Sequence, residues 1–398
     1  MPDSGSPDEL TINDLFPTGS RVLLSGGGKQ FIERIGVEAA RRVVLSVMMG
    51  ENVRKETEPL TQQRIAQISG GLVALFARGG LEIDNFTSQI SEMAVEQITG
   101  PRRNDKASTW VAQWLIGLTG KSVQNVLRSN PEQVQEYIRD FEAAIERAAA
   151  KCREDLGDLK MTLGFVEDGM GQRVELDWRD INRLTTAIGT QTLSIRGSEK
   201  SLYGKLFEKL ILGSFLTILG FQRVNPATNM KTEKIFWLSD SSENRESDAT
   251  LLIQPGRLVR LDIGFIGRGN PEISKDKLSR YTREMEIAGS SHSSVTFIIV
   301  DRLPETSKTR QAAEKIGAEI VQMSMQYWPR DVARRLGQRF GFKHELQTMA
   351  DDKMPEYLAS KLAAIQLQDF LVGVSLESLE SNQEPAAEER EWSPEDEE

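Results

Sequence analysis

A chain of 398 residues is long enough for two domains, and its 39% hydrophobic residues can fill sizeable cores. One cysteine, Cys152, and two histidines, His292 and His344, exclude a disulfide framework and a structural zinc site, so any metal would be a hard cation on carboxylate oxygens. The net charge of −10 is concentrated at the end: residues 381–398 carry eight acids and one arginine, which leaves −3 for residues 1–380 and room for a basic cleft. The start lacks the basic and apolar regions of a secretory signal, and no apolar run reaches membrane-spanning length. A cytoplasmic location without a membrane partner is expected.

Residues 1–10 are rich in Pro, Ser and Asp and read as a mobile end. Residues 11–160 follow a helical pattern and are expected to form a domain for DNA recognition or dimerisation. Within it, residues 31–47 repeat apolar positions at helical spacing, with Arg41 and Arg42 on the polar side. Ser69, Gly70 and Gly71 interrupt a second helical run. Asn130 caps a helix that opens at Pro131 and carries Tyr137, Phe141 and Ile145. Residues 161–200 read as a junction, with a hairpin of 163–166 and 173–176 around Asp168 and Gly169. From 201 onward helices and strands alternate. Helices are expected over 202–220, 272–288, 307–317 and 330–340, and strands over 234–238, 249–254, 257–266, 295–300 and 319–323. Residues 201–345 thus form an α+β domain, a mixed sheet flanked by helices. Residues 346–375 extend it with helix, and 376–398 are an acidic tail too poor in apolar residues to fold. No internal repeat is visible.

Three acids stand out in the α+β half. Glu208 lies in the helix 202–220, where its bland role is a solvated partner of Lys205 or Lys209. Asp248 immediately precedes the strand 249–254, where it either serves a site or caps a turn. Asp262 is the most telling. Along 257–266, Val259, Leu261, Ile263 and Phe265 share one face, and Asp262 shares the other with Arg260 and Gly264. An acid at the centre of so apolar a strand is costly unless compensated, and a bound cation would compensate it. Metal-assisted phosphodiester hydrolysis needs such carboxylates, together with a cation that stabilises the transition state.

The order of a helix bearing Glu208 and ending in Leu219, Gly220 and Phe221, then Ser247 with Asp248, then Leu261, Asp262, Ile263 and Gly264, resembles the PD-(D/E)xK nuclease superfamily. The resemblance implies a restriction-endonuclease-like fold and Mg²⁺ held by Asp248, Asp262 and Glu208. Ser247 replaces the motif proline, and Gly264 replaces the motif lysine. Glycine there leaves room for a basic side chain from elsewhere. Lys277, one helical turn from Ile273 and Tyr281, is preferred to Lys275. Glu272 is either a further ligand or a complement to a helix dipole.

Residues 261–273 and 276–280 are similar to type II restriction endonucleases, and residues 21–27 and 49–54 to the CfrBI family, whose members cut CCWWGG sites. That similarity implies a site-specific endonuclease making double-strand breaks in double-stranded DNA with 5′-phosphate ends, and a cognate DNA methyltransferase as genetic partner. Cutting a palindrome with one site per chain implies a homodimer, for which Val43, Val44, Val47 and Met48 offer apolar surface. The alternatives are a junction resolvase or defence nuclease of the same superfamily, or a degenerate fold that only binds DNA.

Weaker signals remain. Residues 25–29 hint at a phosphate loop but lack its spacing. Residues 111–128 have helix-turn-helix spacing, with Lys121, Gln124, Asn125 and Arg128 as base readers, although ordinary helix packing explains them as well. His292 sits in a Ser-rich loop. Arg330, Arg334, Arg335 and Arg339 fall near one side of a helix, for phosphates or for solvent.

Overall fold

The computed structural model describes residues 10–126, 131–156, 165–167, 171, 173–226, 231–239, 247–264, 293–300, 318–324 and 327–380. Two compact units divide the chain. The first is Met1–Ala39 with Glu56–Glu199; the second is Ala40–Lys55 with Lys200–Glu398.

The first unit is helical. It contains α1 (Ile12–Leu15), α2 (Thr18–Ser25), α3 (Gly28–Ile35), the start of α4 (Val37–Met48), α5 (Val53–Glu82), α6 (Phe86–Thr99), α7 (Lys106–Leu115), α8 (Gly120–Val126) and α9 (Pro131–Leu156). The helical run expected over 31–47 is two helices, because Gly36 adopts a left-handed φ of 105° between them. The glycines expected to interrupt a second run instead lie inside α5. A Cβ at Gly71 would stand 2.6 Å from Ser20 Oγ, so glycine serves close packing there rather than a break. The hairpin is present as β1 (Phe165–Glu167) and β2 (Arg173–Glu175), antiparallel.

The helix expected from Leu202 begins 24 residues earlier: α10 spans Trp178–Ile218. Its first half, with four threonines, Gly189 and Gly197, has poor helix propensity. Packing overrides this: Ile181, Arg183, Ala187, Gln191, Ile195 and Ser198 form a buried stripe at helical spacing. The hydroxyls of Thr185, Thr190, Thr192 and Ser194 each donate back to the carbonyl four residues earlier, at 2.8–3.0 Å.

The second unit is built on a six-stranded mixed sheet in the order β3 (Gln222–Arg223), β4 (Ile235–Leu238), β5 (Ala249–Gln254), β6 (Arg257–Gly264), β7 (Ser293–Val300), β8 (Glu319–Gln322). The β4–β5 and β5–β6 pairs are antiparallel; β3–β4, β6–β7 and β7–β8 are parallel. The α+β mixed sheet expected from the sequence is therefore observed. The helices expected over 272–288 and 307–317 lie outside the described residues.

One face of the sheet is apolar along its four central strands, β4 to β7. Phe236, Leu251, Val259, Leu261, Ile263, Phe297 and Ile299 are all fully buried. So are Leu206, Phe207, Leu210, Ile211 and Phe215 on the second half of α10. Phe215 meets Trp328 of α11 (Trp328–Phe340) with ring centroids 5.1 Å apart, and the Phe370 ring lies where a Cβ on Gly213 would fall. Residues 40–55 are pinned into this unit: Trp328 Nε1 donates to the Val47 carbonyl at 2.8 Å, and Arg41 donates to the carbonyls of Leu362 and Ile365 near the end of α12 (Met354–Ala363). Val43, Val44, Val47 and Met48 are consequently core residues, at most 1% exposed. They do not form the apolar dimer surface expected of them. Among the described residues the last helix, α13 (Leu376–Glu380), continues past the expected start of the acidic tail, since Leu376 and Leu379 are buried. Among the described residues no helix is long and apolar enough to cross a membrane.

Candidate active site

The site is set by a turn. Pro255 and Gly256 alone connect β5 to β6, and Gly256 takes a φ of 77°, the conformation a type II turn demands at its third position. With a bulge between Leu252 and Gln254, the turn fixes a register in which Leu251 faces Val259 and Ala249 faces Leu261. One further step places Asp248 opposite Asp262. A slip of one residue in either strand would turn that strand's acid to the apolar face and separate the pair.

The two carboxylates meet at this end of the strand pair. Asp248 Oδ2 accepts the backbone N–H of Ile263 at 2.8 Å, and Asp262 Oδ1 accepts that of Asp248 at 3.4 Å. Both side chains are half-buried, while Leu261 and Ile263, either side of Asp262, are fully buried on the other face. Ser247, in the proline position of the motif, is buried, its hydroxyl 3.2 Å from that of Thr250. Gly264 is buried and lies beside Val300 of β7.

Glu208 is half-buried on α10, in a turn whose inward residues are Leu206, Phe207, Leu210 and Ile211. Its neighbour Lys205 donates to the Leu379 carbonyl at 3.0 Å. Burial lowers the pKa of that ammonium, and the charge of Glu208 opposes the shift. Lys209 donates to the carbonyl of Ser239, and Ser239 donates its own N–H to the Asp248 carbonyl at 3.1 Å. Among the described residues no three His, Cys, Asp or Glu side chains converge closely enough to hold a metal. The structure thus brings Asp248 and Asp262 together but does not add Glu208 as a third ligand. Glu272, Lys275, Lys277 and His292 lie outside the described residues.

Sequence reasoning gave Lys209 only a role beside Glu208 and did not single out Ser239. Register finds Ser239, since Leu238 faces Ala249 across β4 and β5 and Ser239 therefore faces Asp248; Lys209 is found only through its bond to the Ser239 carbonyl.

The arginines of α11 have partners of their own. Arg330 bonds Asp351, Arg334 the Gln347 carbonyl, Arg335 both Glu319 and Asp331, and Arg339 Glu319. Three of the four are thus ion-paired within the protein, and Arg334 holds a backbone carbonyl. Helices α7 and α8 do flank a tight turn with Gly117 at φ 72°, and Lys121 is exposed. The side chains of Gln124 and Asn125, and Arg128 itself, lie outside the described residues. Near Lys29, Gln30 Oε1 accepts the Gly27 N–H at 3.2 Å, a helix-capping contact and not a phosphate cradle.

A mixed sheet with paired acids on adjacent strands, beside a helix that carries a third, defines a restriction-endonuclease-like fold. The comparisons give the family. Residues 37–308 match the model of the CfrBI restriction endonuclease family, and the chain is 33% identical over 363 residues to the type II restriction enzyme CfrBI of Citrobacter freundii, covering 89% of this chain and 97% of that protein. The chain belongs to the CfrBI restriction endonuclease family and is an enzyme, a restriction endonuclease that hydrolyses DNA phosphodiesters. No solved structure matches it.

Proposed function

We propose that this endonuclease cuts both strands of duplex DNA at a specific sequence by metal-dependent hydrolysis, with Asp248 and Asp262 holding the Mg²⁺. The observation that supports the reading most is the pair itself: two carboxylates, opposed across β5 and β6, each accepting one strand N–H. A carboxylate offers about four acceptor sites, so accepting an amide hydrogen bond is compatible with ligating a metal. Mg²⁺ commonly takes one or two protein carboxylates and completes its octahedron with water and phosphate oxygens, which suits a pair better than a closed cage. When bound, the ion supplies Lewis acidity and an activated water.

The protein's own groups then divide the work. Asp248 and Asp262 orient whatever is bound between them against the scissile phosphate. Glu208, one helix away, supports the site from outside this pair. Lys277 supplies the cation missing at Gly264 and stabilises charge on phosphorus, and Glu272 orients water. The cut leaves a 5′-phosphate and a 3′-hydroxyl. The enzyme acts as a homodimer, one site for each strand, in the cytoplasm, with a cognate methyltransferase protecting host DNA.

Plasmid digestion with and without EDTA, followed by sequencing of the fragment ends, tests this reading. Discrete EDTA-sensitive fragments with 5′-phosphates, beginning with plasmids that contain CCWWGG, are expected. Random nicking, or cutting that survives EDTA, would contradict it. Light scattering with and without a specific duplex checks the dimer; a monomer in both states that still breaks both strands would remove it.

A further inference from the structure

One row of residues crosses three strands at the site. Ser239 lies opposite Asp248, and Asp248 lies opposite Asp262, each one step beyond the last paired residues of β4–β5 and β5–β6. Positions at the end of a ladder open more readily than those inside it. Here the row also carries both candidate metal ligands, whose spacing depends on how that end is held. Something must tie its outer edge.

The tie comes from α10. The Lys209 ammonium donates to the carbonyl of Ser239, whose N–H donates in turn to the Asp248 carbonyl at 3.1 Å. Lysine suits the task, with a four-carbon stem reaching from a helix to a strand end and a charged donor that strengthens the bond to a carbonyl. Lys205, one turn earlier, makes the same kind of bond to a different carbonyl, that of Leu379. The polar edge of this helix therefore fastens two chain segments on either side of Glu208.

We infer that Lys209 is a positioning residue: by holding Ser239 it fixes the end of β4, keeps Asp248 against Asp262, and so sets the affinity of the pair for a divalent cation. The inference rests on the reading of Asp248 and Asp262 as the metal-holding pair. Groups that orient metal ligands typically change metal affinity or activity by about 10- to 100-fold when removed.

Lys209→Met keeps the stem and deletes the donor; Lys209→Arg keeps a charged donor. Two readouts are compared with wild type: the Mg²⁺ concentration for half-maximal cleavage, and the rise in Tm with Mg²⁺ in the absence of DNA. For Lys209→Met both curves should move to Mg²⁺ concentrations about tenfold higher or more, with much of the rate recovered at high Mg²⁺. For Lys209→Arg both should stay within about threefold of wild type, on the same scale. A merely structural lysine would lower Tm without moving the Mg²⁺ dependence. Unmoved curves in Lys209→Met overturn the inference, as does an equal loss in Met and Arg that no Mg²⁺ recovers. If Lys209→Met does not fold, Lys209→Gln is judged by the same two curves. Asp262→Asn run in parallel separates the two readings. If it still cleaves, the metal-holding pair is wrong; if it is inactive while Lys209→Met behaves as wild type, only the role of Lys209 is wrong.

Discussion

In the helical unit the carboxylate of Glu142 is set against two guanidinium groups, whereas in the sheet unit Asp248 is set against a second carboxylate. Arg183, fully buried, bonds Glu142 at 2.5 Å, and Arg179 bonds it at 3.1 Å. Ser91 completes the group by donating to Glu142, and the Arg183 guanidinium lies 5.7 Å from the Phe141 ring centroid. Burial raises the Glu142 carboxyl, but the hydrogen bonds from Arg183 and Ser91 outweigh it and hold the pKa low. That arrangement ties α6, α9 and α10 together and needs nothing from outside. The Asp248–Asp262 pair is arranged differently: two carboxylates face each other from adjacent strands, each accepting a strand N–H. Paired acids on adjacent strands are the arrangement a divalent cation can use.

The largest effect is expected where the acid pair is broken. Asp248→Ala should lower the cleavage rate by at least about a thousandfold, several kcal/mol of transition-state stabilisation, while Tm stays level. Cleavage assays and thermal melts on the same preparation check both halves, and a large fall in Tm would mean the pair is structural after all. Arg183→Met should show the opposite profile. It removes the fully buried partner of Glu142, leaving Arg179 and Ser91, and should cost about 3 kcal/mol of stability. Adding Glu142→Gln should recover part of that loss in a double-mutant cycle read by denaturant unfolding. Additive losses would show that the pair carries no coupling.

Next in size is the C-terminal helix. Leu376→Ala should destabilise by about 2–4 kcal/mol, because Leu376 is fully buried. A chain ending at Glu380 should melt as wild type does and bind nonspecific DNA more tightly at low salt, since removing residues 381–398 removes a charge of −7. A drop in Tm on that truncation would contradict the expectation that residues 381–398 are too poor in apolar residues to pack.

The smallest effect concerns pH. Burial lowers the pKa of His344, outweighing the opposing hydrogen bond to the Ile218 carbonyl. The unfolded chain takes up a proton near pH 6.5 and the folded chain only below that, so stability should decline as pH falls below 6.5. Melts across that window should show the decline in wild type and a weaker one in His344→Gln.

The same contrast explains what was legible in the sequence. Alternation in 257–264 revealed β6, its buried face and the isolation of Asp262, because a strand's period is short and its polar exception is conspicuous. Helix propensity misplaced the start of α10, since threonines and glycines read as a junction until tertiary packing and hydroxyl back-bonding hold them in a helix. Amphipathic spacing marked Val43, Val44, Val47 and Met48 as an apolar face but could not say that the face is closed by this chain's own second unit. Ser239 belongs to the site only through the β4–β5 register, and Lys209 only through its bond to the Ser239 carbonyl; no local pattern displays either.

The central claim is that Asp248 and Asp262 hold the metal as a pair, and Asp262→Asn tests it most directly because the change removes charge while keeping shape. Mg²⁺-dependent cleavage and the Mg²⁺-induced rise in Tm should both be lost, while binding of duplex DNA persists. Cleavage near the wild-type rate, with the Mg²⁺-induced rise intact, would contradict it.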